Sequence, residues 1–231
     1  MLTLGLNEYQ AFTVSSNRVP IEGTDGARFA CLGLFGEVGS LLSVAKKNRR
    51  DVGAFYTYSD ELVEELGDSL WYFTNLSHRL GLTLEEVGTT TARPNNPEKL
   101  PLTFFHLQTA TVIGDDAALL ERHLLALGAS VGRVVEVVAG DGGYEREECL
   151  RLLAHVLTQL LDVGALTGVT LNEAALRNIE KVAGRWPSER DYGQAYDERC
   201  PQEERLPRRL SMVFRERMVR GKPYVTQTCN A

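Results

Sequence analysis

The sequence has no long apolar run and no excess of positive charge. None of its apolar stretches reaches the roughly 20 residues that a membrane-spanning helix needs, and the first residues, MLTLGLNEYQ, lack the charged and then apolar pattern of a signal peptide. The formal net charge of −6 over 231 residues disfavours non-specific binding to a nucleic acid polymer or an anionic membrane. A local basic pocket is compatible with that charge. We therefore expect a cytoplasmic protein with no membrane and no nucleic acid polymer as partner.

Cysteine and histidine are too few and too scattered for the common metal and redox motifs. The four cysteines form no CxxC pair, which argues against a zinc knuckle or a redox site, and we expect buried thiols. The four histidines form no ExxH or HxxxH pattern, which disfavours a ferritin-like di-iron bundle. These residues are Cys31, Cys149, Cys200, Cys229, His78, His106, His123 and His155.

Hydrophobic periodicity predicts an all-α fold, because apolar residues recur at helical spacing and strand signals are nearly absent before residue 210. Ser59 and Asp60 are the expected caps of the third helix. After Pro187 the polar tail is expected to be an extension, in which alternation and a Gly-Lys-Pro turn indicate a hairpin. The expected helices are 5–16, 26–48, 59–80, a short one over GLTLEEV, 103–112, 115–140, 144–167 and 171–184.

The second half of the sequence repeats the pattern of the first, with ARPNNPEKLP at 92–101 as the boundary, since its prolines and asparagines stop a helix. RLGLTLEEV at 79–87 matches ALTGVTLNEA at 165–174, and EVGSLLSVAKK at 37–47 matches SVGRVVEVVAG at 130–140. We therefore predict two diverged copies of one helical unit; a chance likeness of amphipathic segments is the alternative. The predicted divisions are a first unit at 1–93, a linker and start of the second copy at 94–108, a second unit at 109–188, and an extension at 189–231.

Acidic residues interrupt the apolar pattern of the second and third predicted helices. In ELVEELGDSLWYF at 61–73, one side of the helix is apolar and the neighbouring side carries carboxylates. On the second helix, Glu37 shares a face with Leu41 and Val44, where a buried carboxylate is costly unless it is paired or bound to a cation. A solvated acidic face on the third helix and an ion pair at Glu37 are the plain alternatives.

Three of these acids can form one site. Glu65 and Asp68 are spaced i, i+3, and two antiparallel helices packed at about 8–10 Å can bring Glu37 towards them. Carboxylates from two helices make an oxygen-only site, which suits Mg²⁺ or Mn²⁺ rather than zinc. Because magnesium commonly bridges to phosphate oxygens, this pattern indicates phosphoryl chemistry on a nucleotide-like substrate.

GEVGSL at 36–41, followed by EELGDSLWY at 64–72, resembles the all-α nucleoside triphosphate pyrophosphohydrolases, that is, MazG proteins, dimeric dUTPases, dCTP pyrophosphatases and phosphoribosyl-ATP pyrophosphohydrolases. The resemblance runs from GLFGEVG to LGLTLEEV and covers about sixty residues. NEYQ at 7–10, in the first predicted helix, also fits the family. It implies a four-helix bundle in which an ExxE motif and an ExxD motif bind Mg²⁺. It also implies hydrolysis of an NTP or dNTP between the α- and β-phosphates, giving the monophosphate and pyrophosphate.

The resemblance assigns roles to residues of the first copy. Glu37 takes the first acid of ExxE, while Glu65 and Asp68 take the two acids of ExxD, so these three are the expected metal ligands and catalytic residues. Tyr72 matches a tyrosine that in some relatives lies against the nucleotide; a half-buried packing role is the alternative. Ser40 stands where ExxE has its second acid, and its hydroxyl can hydrogen-bond a bound water or substrate without supplying charge.

Five further residues are candidates for catalysis or substrate binding. Glu61 and Glu64 are expected to orient the attacking water, or else to be surface acids. RNIEKVAGRWP at 177–187 resembles the closing NxxK helix of the family, which makes Asn178, Lys181 and Arg185 candidate substrate-binding residues, with an exposed helix end as the alternative.

The second copy has lost the acids of the motif. Aligning the repeats places Ser130, Arg133, Leu152 and His155 at the positions of Glu37, Ser40, Glu65 and Asp68, respectively. No carboxylate survives, so this copy is expected to bind no metal, and Arg133 and His155 are expected to have no role. The tandem would then pack as an intramolecular pseudo-dimer with a single composite site.

The sequence thus favours a Mg²⁺-dependent nucleotide pyrophosphohydrolase that removes non-standard or excess nucleotides. The alternatives are a catalytically weak or silent nucleotide-binding regulatory module, which Ser40 and the degenerate copy favour, and a purely structural helical protein. A homodimer of the tandem unit is compatible with the family pattern, and the base and sugar of the substrate are left open.

Overall fold

Eight α-helices and one β-hairpin form the regular structure of the part of the chain that the computed structural model describes. That part comprises residues 3–19, 21–91, 101–108, 117–140, 142–185, 211–219 and 222–230. The elements are α1 Leu6–Ser16, α2 Gly23–Arg50, α3 Tyr58–Arg79, α4 Leu84–Thr90, α5 Phe104–Leu107, α6 Ala117–Ala139, α7 Arg146–Thr167, α8 Leu171–Arg185, β1 Ser211–Val219 and β2 Lys222–Asn230.

Apart from the fifth, the helices lie where they were predicted, which confirms the all-α expectation for the helical region. The fifth predicted helix, 103–112, is too long: α5 ends at Leu107, because Gln108 has extended backbone, and residues 109–112 lie outside the described residues. The predicted caps of the third helix are wrong. Helix α3 begins at Tyr58 with Thr57 as its N-cap, so Ser59 and Asp60 lie in its first turn. The reason is that the backbone carbonyl of Thr57 already accepts a hydrogen bond from the N–H of Glu61 at 2.9 Å, and this closes the first turn earlier.

The chain divides into two compact units: Met1–Asn17 with Ile21–Ile179, and Arg18–Pro20 with Glu180–Ala231. The second unit contains the predicted hairpin, which is confirmed. Strands β1 and β2 pair antiparallel, from Ser211 opposite Asn230 to Val219 opposite Lys222. The division into two sequence copies concerns the inside of the first unit and stays a prediction.

Four long helices build the core of the first unit. Helix α2 packs against α3 and α6, and α6 packs against α7. Leucines at helical spacing, such as Leu34 and Leu41 on α2 and Leu66 on α3, are fully buried between them, as an apolar stripe of period 3.6 requires. The pair α2–α3 therefore lies beside the pair α6–α7, and the acids of α2 and α3 face each other within the first pair.

Helices α2 and α7 are each long and apolar enough to cross a membrane by length and composition. The core helix of a soluble protein passes the same test, and both helices carry core residues here. The expected absence of a membrane partner stays a prediction.

Two of the cysteines are buried free thiols, as expected: Cys31 on α2 and Cys149 on α7. Burial, with a smaller contribution from nearby Cys149, raises the pKa of Cys31 to about 11. Such a thiol stays protonated and unreactive at neutral pH. The side chains of Cys200 and Cys229 lie outside the described residues.

Glu86 links the first half of the helical unit to the second. Its carboxylate accepts a hydrogen bond from the backbone N–H of Thr83 at 2.8 Å, which completes a capping box on α4. It also binds Arg146, the first residue of α7, at 2.6 Å. The Thr83 N–H, followed by Arg146 and the Thr83 hydroxyl, lowers the pKa of Glu86 to about 2 from its usual 4.5.

This lowered pKa predicts an acid-sensitive contact. Because the folded state holds the proton of Glu86 less tightly than the unfolded chain, the stabilisation is complete above pH 4.5 and is lost as the pH falls towards 2. In Arg146→Ala, an NMR titration should give a higher pKa for Glu86 that still lies below the usual value, because the Thr83 N–H remains. Arg151→Ala, which removes another exposed arginine of α7, should leave this pKa unchanged, and an equal shift in both variants would contradict the pairing.

Candidate metal centre

Three carboxylates converge between α2 and α3. One oxygen each of Glu37, Glu65 and Asp68 lies within 4.8 Å of the other two, and all three residues are half-buried. In the described part of the chain, no other group of three histidine, cysteine or acidic residues is arranged in this way. The convergence predicted from the spacing is therefore present, and metal binding by these residues stays a prediction.

The local sequence explains why the acids meet. Glu37 lies between the fully buried Leu34 and Leu41 along one face of α2, so the packing that buries these leucines also turns Glu37 towards α3. On α3, the buried Leu66 lies between Glu65 and Asp68 and anchors that stretch in the core. The side chains thus project from two rigid helices rather than from loops.

A buried hydrogen-bonded chain holds Asp68. The Asn178 side-chain amide of α8 donates to Asp68 Oδ1 at 2.9 Å. The Tyr9 hydroxyl of α1 donates to Asn178 Oδ1 at 3.2 Å. Asn178 is 3% exposed and Tyr9 is fully buried. Since Tyr9 occupies the amide oxygen, the amide NH₂ is the end that faces Asp68.

Tyr9 stays a donor because its pKa is raised well above the ordinary value, first by burial and then by the negative charge of Asp68. The sequence did not predict Tyr9 as a site residue; it lies within NEYQ, whose resemblance to the family was the available signal. Asn178 was predicted to bind substrate, and the structure places it against Asp68.

Gly67 allows α8 to approach α3 closely enough for this contact. A Cβ at position 67 would lie 2.8 Å from the backbone oxygen of Ala174 and 3.1 Å from the Cβ of Asn178. A larger residue would therefore force the two helices apart. This glycine lies between the acids of ExxD in sequence, yet its role depends on a helix more than 100 residues later.

Glu61 and Glu64 lie outside the converging group. Glu61 accepts a hydrogen bond from the Thr57 hydroxyl at 2.6 Å and pairs with Lys47, from the last turn of α2, at 3.5 Å. Glu64 is half-buried on α3. Their predicted role in orienting a water stays a prediction.

Tyr72 packs across α2 in the structure. Its ring lies so close to Gly33 that a Cβ there would overlap it, and it meets Trp71 edge-on at 4.9 Å between ring centroids. Ser40 is half-buried one turn after Glu37 on α2. For both residues, a part in substrate binding stays a prediction.

Lys181 and Arg185 follow Asn178 along α8 and belong to the second compact unit. Their predicted contacts with substrate phosphates stay predictions.

The residues that the predicted repeat aligns with the motif positions lie around one cavity. A cavity of about 440 Å³ between α6 and α7 is lined by six residues, four of which are those that the repeat aligns with the motif positions. No acid is among the described lining residues, and the expected loss of the metal ligands stays a prediction. The lining comprises Ala126, Ala129, Ser130, Arg133, Leu152 and His155.

Comparison with known proteins assigns no family. No protein-family model matches the sequence, and no solved structure matches it. A stretch of 68 residues is 34% identical to the Gene 37 protein of Mycobacterium phage L5. This stretch is 29% of the present chain and 60% of the phage protein, less than two thirds of that protein's length.

The close approach of α8 at Gly67 predicts that alanine will destabilise the protein at position 67 but not at position 36. Gly67→Ala should lower the free energy of unfolding by about 1–3 kcal/mol, as overpacking does, and should weaken the Asp68–Asn178 contact. Gly36→Ala is the matched control, because a Cβ there meets nothing within 4 Å and alanine favours a helix by up to about 1 kcal/mol. Urea unfolding of both variants tests this, and equal effects would contradict the close approach of α8.

Proposed function

We propose that the protein is a Mg²⁺-dependent nucleoside triphosphate pyrophosphohydrolase, which releases a monophosphate and pyrophosphate. The observation that carries the proposal is the convergence of Glu37, Glu65 and Asp68 within 4.8 Å. These are the residues that the resemblance to the all-α pyrophosphohydrolases marks as ligands. The proposal therefore rests on a sequence pattern and a geometry that agree residue by residue.

The donor set fits Mg²⁺. All three groups are carboxylates, the oxygen ligands that magnesium prefers. The three carboxylate oxygens lie within 4.8 Å of one another, so Glu37, Glu65 and Asp68 could together hold one such ion. Half-burial leaves one side accessible, which suits an ion that keeps waters and binds phosphate oxygens. Mn²⁺ would fit the same donors.

The residues around the ion would each have a part in such a site. When bound, the ion supplies Lewis-acid polarisation of a phosphoryl oxygen and lowers the pKa of bound water. Asn178 orients Asp68 through its 2.9 Å hydrogen bond, and Tyr9 in turn orients Asn178. Contacts of this outer kind orient ligands and tune affinity. Glu61 and Glu64, which lie one turn apart on α3 beside Glu65, are the candidates to orient a water.

We also propose that the helical unit is a tandem of MazG-like copies packed as an intramolecular pseudo-dimer. Two observations support it: the α2–α3 pair lies against the α6–α7 pair through α2 and α6, and the aligned positions of both copies gather between their own helices. The first copy would keep the metal ligands that the second has replaced.

A silent nucleotide-binding module is the second candidate, and Ser40 favours it. The family pattern has an acid one turn after Glu37, where this chain has a hydroxyl. A site with less charge would bind the ion more weakly or support slower chemistry.

A measurement of nucleotide hydrolysis distinguishes the pyrophosphohydrolase from the silent nucleotide-binding module. With Mg²⁺ and a panel of NTPs and dNTPs, the wild type should release pyrophosphate. Glu65→Gln and Asp68→Asn should each lose at least the roughly 10–100-fold that removal of outer-shell partners costs in metal sites. The measurement is kcat/KM for pyrophosphate release.

Glu136→Gln is the matched control, because Glu136 is exposed on α6. Its kcat/KM should equal that of the wild type. Nucleotide binding without pyrophosphate release from any nucleotide would favour the silent module, and neither binding nor release would overturn both candidates.

A further inference from the structure

We propose that the cavity between α6 and α7 binds a phosphate-class anion. It lies at the second copy's equivalent of the metal centre, but its lining has the opposite electrostatic character. The inference goes beyond the proposed enzymatic function and does not depend on it, since it concerns other helices and requires no metal ion.

The basic side chains that line the cavity can donate hydrogen bonds to an anion. Arg133 on α6 and His155 on α7 are both exposed to solvent and line it from opposite helices. No acid belongs to the described lining. The formal net charge of the chain is −6, so a pocket lined by an arginine and a histidine without an acid departs from the average surface. An arginine fork is the side chain best suited to two phosphate oxygens at once.

The cavity also has room for a ligand. Its volume of about 440 Å³ falls within the roughly 300–1,000 Å³ of small-molecule sites. Small side chains on α6, Ala126 and Ala129, keep it open, and Leu152 supplies an apolar wall on α7.

Ser130 has a supporting part only. Its hydroxyl donates to the carbonyl of Ala126 at 2.8 Å, so its proton is already engaged. The donors available to an anion are therefore the guanidinium of Arg133 and the ring of His155. Because both side chains are exposed to solvent, we expect a modest affinity, with a Kd that does not exceed about 1 mM.

Isothermal titration of the full chain in EDTA tests the proposal, with inorganic phosphate, pyrophosphate and a nucleoside monophosphate as separate probes. At least one probe should bind, and it should shift the ring resonances of His155 in NMR spectra. Arg133→Gln should weaken binding roughly tenfold, the value of one charge-assisted hydrogen bond, and His155→Gln should weaken it severalfold.

Lys46→Gln is the matched control, because Lys46 is exposed on α2 and is not part of the lining; its binding should equal that of the wild type. Glu65→Gln should also bind the anion normally, which separates this result from any failure of the proposed enzyme.

Tighter binding of the monophosphate than of phosphate would identify a nucleotide as the source of the anion, and equal binding would identify free phosphate. Absence of binding by all three probes, or equal losses in Arg133→Gln and Lys46→Gln, would overturn the proposal.

Discussion

The hydrogen bond from Asn178 to Asp68 joins the converging acids of α2 and α3 to helix α8. Three carboxylates within 4.8 Å repel one another, and each loses hydration by half-burial. Their positions persist because two rigid helices hold the backbone and because α8 supplies a fixed donor at 2.9 Å. That donor requires the missing side chain at Gly67, so helix packing, and not only the acids themselves, determines the geometry of the site.

The sequence predicted the helices and the meeting of the acids because both depend on local periodicity. Glu37 follows a leucine pattern on α2, and the i, i+3 spacing of Glu65 and Asp68 defines one face of α3. Tyr9 and Gly67 could not be predicted in the same way, since their roles arise from contacts with α8. Such contacts link residues more than 100 positions apart, and no periodic pattern encodes them. The prediction that Ser59 and Asp60 cap α3 was wrong, because the carbonyl of Thr57 accepts the first hydrogen bond of the helix and α3 therefore begins at Tyr58.

In the proposed tandem, one architecture would present two different electrostatic surfaces. Between α2 and α3 the motif positions carry acids, whereas between α6 and α7 the aligned positions carry Ser130, Arg133, Leu152 and His155. Both pairs are long α-helices, so substitution of a few residues between them would alter the charge without altering the fold. Glu86 and Arg146 join the halves at the surface, which keeps α4 of the first half against α7 of the second.

Ser40 bears on the number of ions that the proposed site would hold. One ion can use the three converging carboxylates of Glu37, Glu65 and Asp68. A second ion would need further acids nearby, but Glu61 is engaged by Lys47 at 3.5 Å, and position 40 supplies no charge. Three carboxylates exceed the charge of one divalent ion, so a first ion relieves their repulsion, whereas a second would lack compensation. In the proposed site, Glu37, Glu65 and Asp68 would therefore hold one ion, and the serine at position 40 would supply no carboxylate for a second.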